Sequence, residues 1–323
     1  MSGKYTICAG TIGSGLWLSA DGGESWRRVM KGLWSESRVF GLTVHPHEPR
    51  TVFAGADDGI YKSSDGGQSF ERLDSPMNRL DVWKIAIDPV DPDIIFAGTR
   101  PAAFFRSKDG GRSWQKLPAA IAEECPNVRI PRVTALTVDP SNHRNVWAGI
   151  EVDGVRRSTD GGDSWQTITS GINDPDIHDI GVVVNGGTTV LTTTPREIFA
   201  SHDRGENWNG LGVGEQFPLP YCRSLAQKAD DPETLFVATG DGAVGTTGAI
   251  QRSTNGGKSW QTANLPVKPN SPIWAFATHS ADPGLIVACS HYGELYKTEN
   301  AGDSWTKLPR EFTEIRSLIW TPN

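Results

Sequence analysis

The sequence predicts an all-β chain, a closed seven-bladed β-propeller with four antiparallel strands per blade. One eight-residue signature recurs seven times, the stretches between its copies read as short strands, and the two chain ends match different strands of one unit. The first copy is Ser19-Ala20-Asp21-Gly22-Gly23-Glu24-Ser25-Trp26. The others run Ser63 to Phe70, Ser107 to Trp114, Ser158 to Trp165, Ser201 to Trp208, Ser253 to Trp260 and Thr298 to Trp305. Their third positions, Asp21, Asp65, Asp109, Asp160, Asp203, Asn255 and Asn300, stand 43 to 52 residues apart. A period of that length means stacked supersecondary units.

Each residue type in the signature has a local task. Asp or Asn at the third position folds back on backbone N–H groups as an Asx-turn, and the invariant fifth-position Gly supplies a positive φ. Ser or Thr at the first and seventh positions adds hydroxyl hydrogen bonds, and the closing aromatic begins the next strand with a large apolar area. The pattern resembles the Asp-box, or BNR repeat, of sialidases, xyloglucan-cleaving glycosidases, sortilin-type receptors and a photosystem II assembly factor. This resemblance covers essentially the whole chain. It implies boxes on the blade periphery with a structural role, and it leaves function open, because one fold hosts many functions.

Between boxes the residues read as strands. The second repeat runs Val39 to Pro46, Thr51 to Gly55, Gly59 to Ser63, then its box and Phe70 to Leu73. The third runs Val82 to Pro89, Ile94 to Gly98, Ala103 to Ser107 and Trp114 to Leu117. These are β-branched and aromatic runs parted by Pro, Gly and Asp turns. Four strands per unit, radially repeated, make a propeller blade. A helical reading fails, since 36 Gly and 21 Pro are spread through every repeat and no long 3.6-residue period appears. The chain opens at Tyr5 to Gly10, which matches a second strand, and ends at Ile315 to Pro322, which matches a first strand such as Val133 to Pro140. The C-terminal strand is therefore expected to complete the N-terminal blade and remove the open sheet ends. Residues 1–323 form one domain in this reading.

Composition narrows the partners. A net charge of −7 without a Lys/Arg-rich run argues against nucleic acid. No apolar stretch reaches membrane-spanning length, and Met1 to Gly10 lacks the basic start and apolar core of a leader. Cys8, Cys125, Cys222 and Cys289 show no CxxC spacing and read as buried reduced thiols of a cytoplasmic protein. No cofactor is expected.

Propellers of this kind bind ligands at a mouth of the central channel, and the repeat register names the residues there. Four residues before the strand positions Leu42, Ile85, Leu136, Val182, Leu225, Phe276 and Leu318 stand Arg38, Asp81, Arg132, His178, Tyr221, Pro272 and Glu314. Two residues before them stand Phe40, Trp83, Thr134, Ile180, Arg223, Trp274 and Arg316. Loops joining second to third strands add Asp57, Arg100, Glu151, Arg196 and His291. A uniform framework with disagreeing residues in these columns points to function. Guanidinium forks read carboxylate, phosphate or sulfate, so Arg38, Arg100, Arg129, Arg132, Arg223 and Arg316, with His291, are expected to hold an anionic or sugar-like small molecule between Trp83 and Trp274. Glu151 or Asp57 with His178, or Tyr221, would transfer protons. Val128-Arg129-Ile130-Pro131 in addition resembles the F/Y-R-I-P motif of sialidases, whose Arg grips the substrate carboxylate. His178 and His291 are the two mouth histidines, too few for a metal site. The expected function is therefore a hydrolase or lyase acting on a small anionic or polyhydroxylated molecule. A non-catalytic interaction or assembly scaffold is the alternative.

Overall fold

The computed structural model describes residues 5–323; of the Met1 to Gly10 stretch read above, residues 1–4 lie outside them. Among the described residues, strands form seven four-stranded antiparallel sheets. The inner strands are Val39–Val44, Asp81–Ile87, Val133–Val138, Asp179–Val184, Tyr221–Lys228, Ile273–Ala277 and Ile315–Pro322. Each touches the next and the last touches the first, so the ring is closed. We number the blades by chain order, blade 1 holding Tyr5 and blade 2 beginning with Val39–Val44. In blade 1 the C-terminal strand Ile315–Pro322 is innermost and pairs with Tyr5–Thr11, followed by Leu16–Ser19 and Arg27–Arg28. The closure read from the termini is thus the observed one.

The core lies between blades rather than within any one sheet. Second strands such as Val52–Ala56 and Val146–Ile150 are buried along their whole length, because both faces are covered by neighbouring sheets. Trp147, Trp320, Tyr296, Phe53 and Phe236 are among the largest fully buried side chains. The outermost strands are two residues long, and pairs such as Glu71–Arg72 are exposed. Short, charged edges of this kind resist edge-to-edge pairing.

The boxes are tight turns at the end of the blades away from the mouth. In the third, the Ser107 hydroxyl donates to Asp109 at 2.8 Å and accepts the Gly111 N–H at 2.9 Å. Asp109 also accepts the Ser113 N–H at 2.8 Å and its hydroxyl at 2.6 Å. Gly111 has φ 91°, where a Cβ is strained. Trp114 Nε1 then donates to the Gly111 carbonyl at 3.0 Å.

A second device was not visible in the sequence. The residue just before the box serine reaches under the next blade's box. Arg106 donates to Asp163 at 2.7 Å, Arg157 to Glu206 at 2.7 Å and Arg252 to Asp303 at 2.6 Å. Where that residue is short, a cleft opens at the seam. Ala200 lines one of about 310 Å³ against Asn255 to Lys258, and Leu18 lines one of about 340 Å³ against Asp65, Gly66 and Gln68.

Candidate functional site

The mouth residues stand on a shared backbone irregularity. In six inner strands the pairing with the second strand skips a residue: Phe40, Trp83, Thr134, Trp274 and Arg316 singly, and Arg223 with Ser224. Such β-bulges re-aim side chains and occur next to functional sites. Six bulges at one level turn six side chains out of the regular alternation at the same end of the channel.

Blade 5 corrects the sequence register. Its inner strand Asp179–Val184 pairs without a skip. In other blades a Val of the inner strand fills the hollow over a Gly of the preceding blade; a Cβ on Gly98 would lie 2.4 Å from Val133 Cγ1. Over Gly149 the residue that does this is Ile177, again at 2.4 Å. Ile177 therefore matches Val133, so the alignment on Val182 is two residues out. Ile180 is a buried core residue, and His178 takes the column of Trp83 and Arg223.

At the mouth, guanidiniums and indoles alternate. Arg132 lies 4.1 Å from the Trp83 ring, Arg316 lies 5.8 Å from Trp83 and 4.5 Å from Trp274, and Arg223 lies 3.9 Å from Trp274. Phe40 stacks on Trp83 at 4.3 Å. These distances suit cation–π attraction, which holds like charges together without neutralising them. Burial lowers the Arg132 guanidinium to about 10; Glu151 opposes this, and Arg223, Arg316 and Arg100 add to it. Burial also lowers Arg316, with Glu314 opposing and Arg223 adding.

Carboxylates pair two of the three. Arg132 meets Glu151 at 2.7 Å, and Glu314 bonds Arg316 while lying 3.1 Å from His291 Nε2. Arg223 is 8% exposed, and among the described residues it forms no ion pair. Arg132 Nε, Arg316 Nε and Nη1, and His291 Nδ1 are buried without a hydrogen-bond partner.

The expected proton-transfer groups are placed differently from one another. His178 Nδ1 donates to the Cys222 carbonyl at 2.6 Å and its Nε2 lies 3.3 Å from Asp176, so both ring nitrogens are engaged. Burial pushes its pKa below the usual histidine range; Arg223 adds to this and Asp176 opposes. The Tyr221 ring lies 5.1 Å from His178, and burial raises its phenol against the pull of Arg223. Glu151 is held by Arg132. Asp57 and Asp81 share the exposed Arg38 at 3.2 and 3.7 Å, at the rim of blades 2 and 3. Arg100 donates to the Ile130 carbonyl at 3.2 Å. Arg129 sits exposed at the tip of the 118–132 loop with φ 59°, its backbone paired to Cys125, and it contributes no contact to the arginine group.

Two residues at the mouth were not among the expected ones. Asp176 fills blade 5's entry position once the register is corrected, and Lys84 directly follows the bulged Trp83. Among the described residues no three His, Cys, Asp or Glu side chains converge as metal ligands. A cleft of about 490 Å³ under the long loop is lined by Pro101, Phe104, Leu117, Ile121 and Ile130, with Glu123 and Glu124; its charge is wrong for an anion. At the opposite end of the inner strands of blades 1, 2 and 7, a cavity of about 380 Å³ is lined by Leu42, His45, Phe276, His279 and Trp320.

Residues 127–314 match the family described as the photosynthesis system II assembly factor YCF48, and residues 14–130 match the sortilin (neurotensin receptor 3) family. A xyloglucanase of Paenibacillus is 25% identical over 310 residues, covering 88% of this chain and 27% of that protein. The chain thus spans about a quarter of that relative's length. Two solved structures share the fold. The GH74 xyloglucanase of Xanthomonas campestris superposes with a TM-score of 0.67 at 20% identity, over 88% of this chain and 46% of that one. YCF48 bound to D1 peptide gives 0.60 at 14% identity, over 86% and 85%.

Proposed function

The chain belongs to the YCF48 family of Asp-box propellers, and from that premise we propose that it binds a small organic anion at the arginine-lined mouth of its channel. Arg223 carries this reading. A guanidinium more than nine-tenths buried with no ion-pair partner costs free energy that an anionic ligand would recover. Arg132 and Arg316 add unpartnered N–H donors, and Trp83 and Trp274 supply flat apolar walls, so the ligand class is a carboxylate or an acidic sugar.

Glycosidase-like chemistry has weaker support than binding. Cleavage of a glycoside needs one carboxyl free to donate and another free to attack or activate water, whereas Glu151 and Asp57 are committed to Arg132 and Arg38. The assembly reading draws on a different observation. Trp34 (71% exposed) and Tyr292 (42%) crown the same face, and the YCF48 structure matched above is of a peptide complex. An exposed apolar rim around a carboxylate site suits a polypeptide end.

Calorimetry with small carboxylates, acidic sugars, and peptides bearing free or amidated C-termini tests both. Small anions should bind with Arg223→Ala raising Kd about 10- to 100-fold, the scale of a charge-assisted hydrogen bond at about 1.5–3 kcal/mol. Binding only of peptides with a free C-terminus would favour the assembly reading. Affinities untouched by Arg223→Ala would overturn the site itself.

A further inference from the structure

At three seams the clasp arginine has an aromatic partner across its own sheet: Arg106 pairs with Phe96, Arg157 with Trp147 and Arg252 with Phe236. Two of these arginines also donate to the carbonyl of the fourth box residue in the next blade, Arg106 to Gly161 and Arg157 to Arg204. At the seam of blades 5 and 6 both members of the pair are smaller, Ala200 opposite Leu191. The cleft of about 310 Å³ there has a floor of Ala200, Leu191 and Leu235, each at most 4% exposed. Its acceptors are in place without their donor. The Gly256 carbonyl, equivalent to that of Gly161, receives no hydrogen bond among the described residues. Glu233 takes the Asn185 amide at 2.7 Å on Oε1. Its Oε2 lies 3.8 Å from where a Cβ on Gly256 would be, and among the described residues it has no donor.

We propose that this cleft receives an arginine side chain of a partner polypeptide, in the place that Arg106, Arg157 and Arg252 fill at their own seams. The site is separate from the channel mouth and does not rest on the anion reading. An apolar slot with a carboxylate at its end suits arginine, whose methylene stem packs on Leu191 and Leu235 while the guanidinium keeps to the polar end. The planar fork reaches a carbonyl and a carboxylate together, as Arg106 does with Gly161 and Asp163. In the filled seams the carboxylate belongs to the sixth box residue, Asp163, Glu206 or Asp303. Here the sixth residue is the exposed Lys258, and Glu233, near the start of the second strand of blade 6, supplies the carboxylate instead. Charge sets this cleft apart from the other open one. Between blades 1 and 2 the residue matching Glu233 is Arg50, whose carbonyl likewise accepts a box N–H. Arg27 lines that cleft as well, so it repels a guanidinium. Beside the cleft of blades 5 and 6, Asp203 directly follows the lining residue His202. Its charge favours a basic polypeptide over free arginine, whose own carboxylate it repels.

The test titrates the full chain, labelled at its leucine methyl groups, with acetyl-Gly-Arg-Gly-amide and follows the methyl signals of Leu191, Leu211 and Leu235 by NMR. Saturable shifts are expected for these three and not for Leu18 in the cleft of blades 1 and 2. Citrulline in place of arginine keeps the shape and removes the charge, and Glu233→Gln removes the opposite charge. Each should weaken binding about fivefold, the upper end for a partly exposed ion pair. Ala200→Arg supplies the side chain from within and should abolish the shifts while the chain stays folded by circular dichroism. Glu233→Gln tests the same contact without filling the slot. Free arginine should bind more weakly than the peptide. Any of four results overturns the proposal: no saturable shifts, equal binding of the citrulline peptide or of its glutamate counterpart, shifts retained in a folded Ala200→Arg chain, or free arginine binding as tightly as the peptide.

Discussion

Deleting Ile315 to Asn323 should open the ring. The segment is the inner strand of blade 1, paired along its length with Tyr5–Thr11. It buries Ile315, Leu318, Ile319 and Trp320, none more than 8% exposed. At about 1.5–3 kcal/mol for each buried apolar side chain, the four together contribute about 6–12 kcal/mol. Whole domains are stable by only about 5–15 kcal/mol, so the loss is of the order of the total. Trp320→Ala grades the effect: its indole packs edge-on to Tyr5 at 5.7 Å and near His279 at 5.1 Å, and its truncation should cost about 3–5 kcal/mol. Urea unfolding followed by far-UV circular dichroism measures both, with gel filtration reporting association through the exposed edge of Tyr5–Thr11. A truncated chain that unfolds at the parent's midpoint and stays monomeric would refute closure by the C-terminal strand.

Four further outcomes follow from the blade periphery. The box aspartates Asp21, Asp65, Asp109, Asp160 and Asp203 are held down to about 2. The Ser113 and Asn207 side chains lead for Asp109 and Asp203, while in the other three, burial pushes upward and the hydrogen bonds outweigh it. Depressed carboxyls give stability that is complete above their unfolded value of about 4 and lost as pH falls toward 2; Asp109→Asn should flatten that acid limb in urea titrations at stepped pH, and an unchanged slope would count against it. Ser107→Ala, which strands the buried Gly111 N–H, should cost about 1–3 kcal/mol without altering anion affinity. At the seams, Arg157→Ala should lose about 1–2 kcal/mol, whereas Ala200→Arg should fill the 310 Å³ cleft and raise the urea midpoint; a lowered midpoint for Ala200→Arg would show that the clasp is not transferable.

What could be read in the chain was local. A box needs Ser, Asp and Gly at fixed offsets because its hydrogen bonds span four residues, as from Ser107 to Gly111 and Asp109 to Ser113, so seven copies are visible as a period. The matching of Ile315 to Pro322 with other first strands was visible for the same reason. The mouth columns named Arg132, Arg223, Arg316, Trp83 and Trp274 correctly as neighbours, but not how they meet. Which carboxylate each arginine takes depends on adjacent blades: Glu314 reaches both Arg316, two residues on, and His291 of blade 7.

Blade 5 shows the limit most clearly. By spacing alone, Val182 aligns with Leu136 as well as Ile180 does, because both are apolar at even offsets in a strand. Only the hollow over Gly149, filled by Ile177, distinguishes them, and that hollow belongs to another blade. The sequence by itself thus determined the blade count, the boxes and the closing strand, whose interactions are periodic and short-range. Tertiary structure decided the bulges, the arginine clasps and the burial of Arg223 without an ion pair, because each depends on residues from different blades meeting only once the ring is closed.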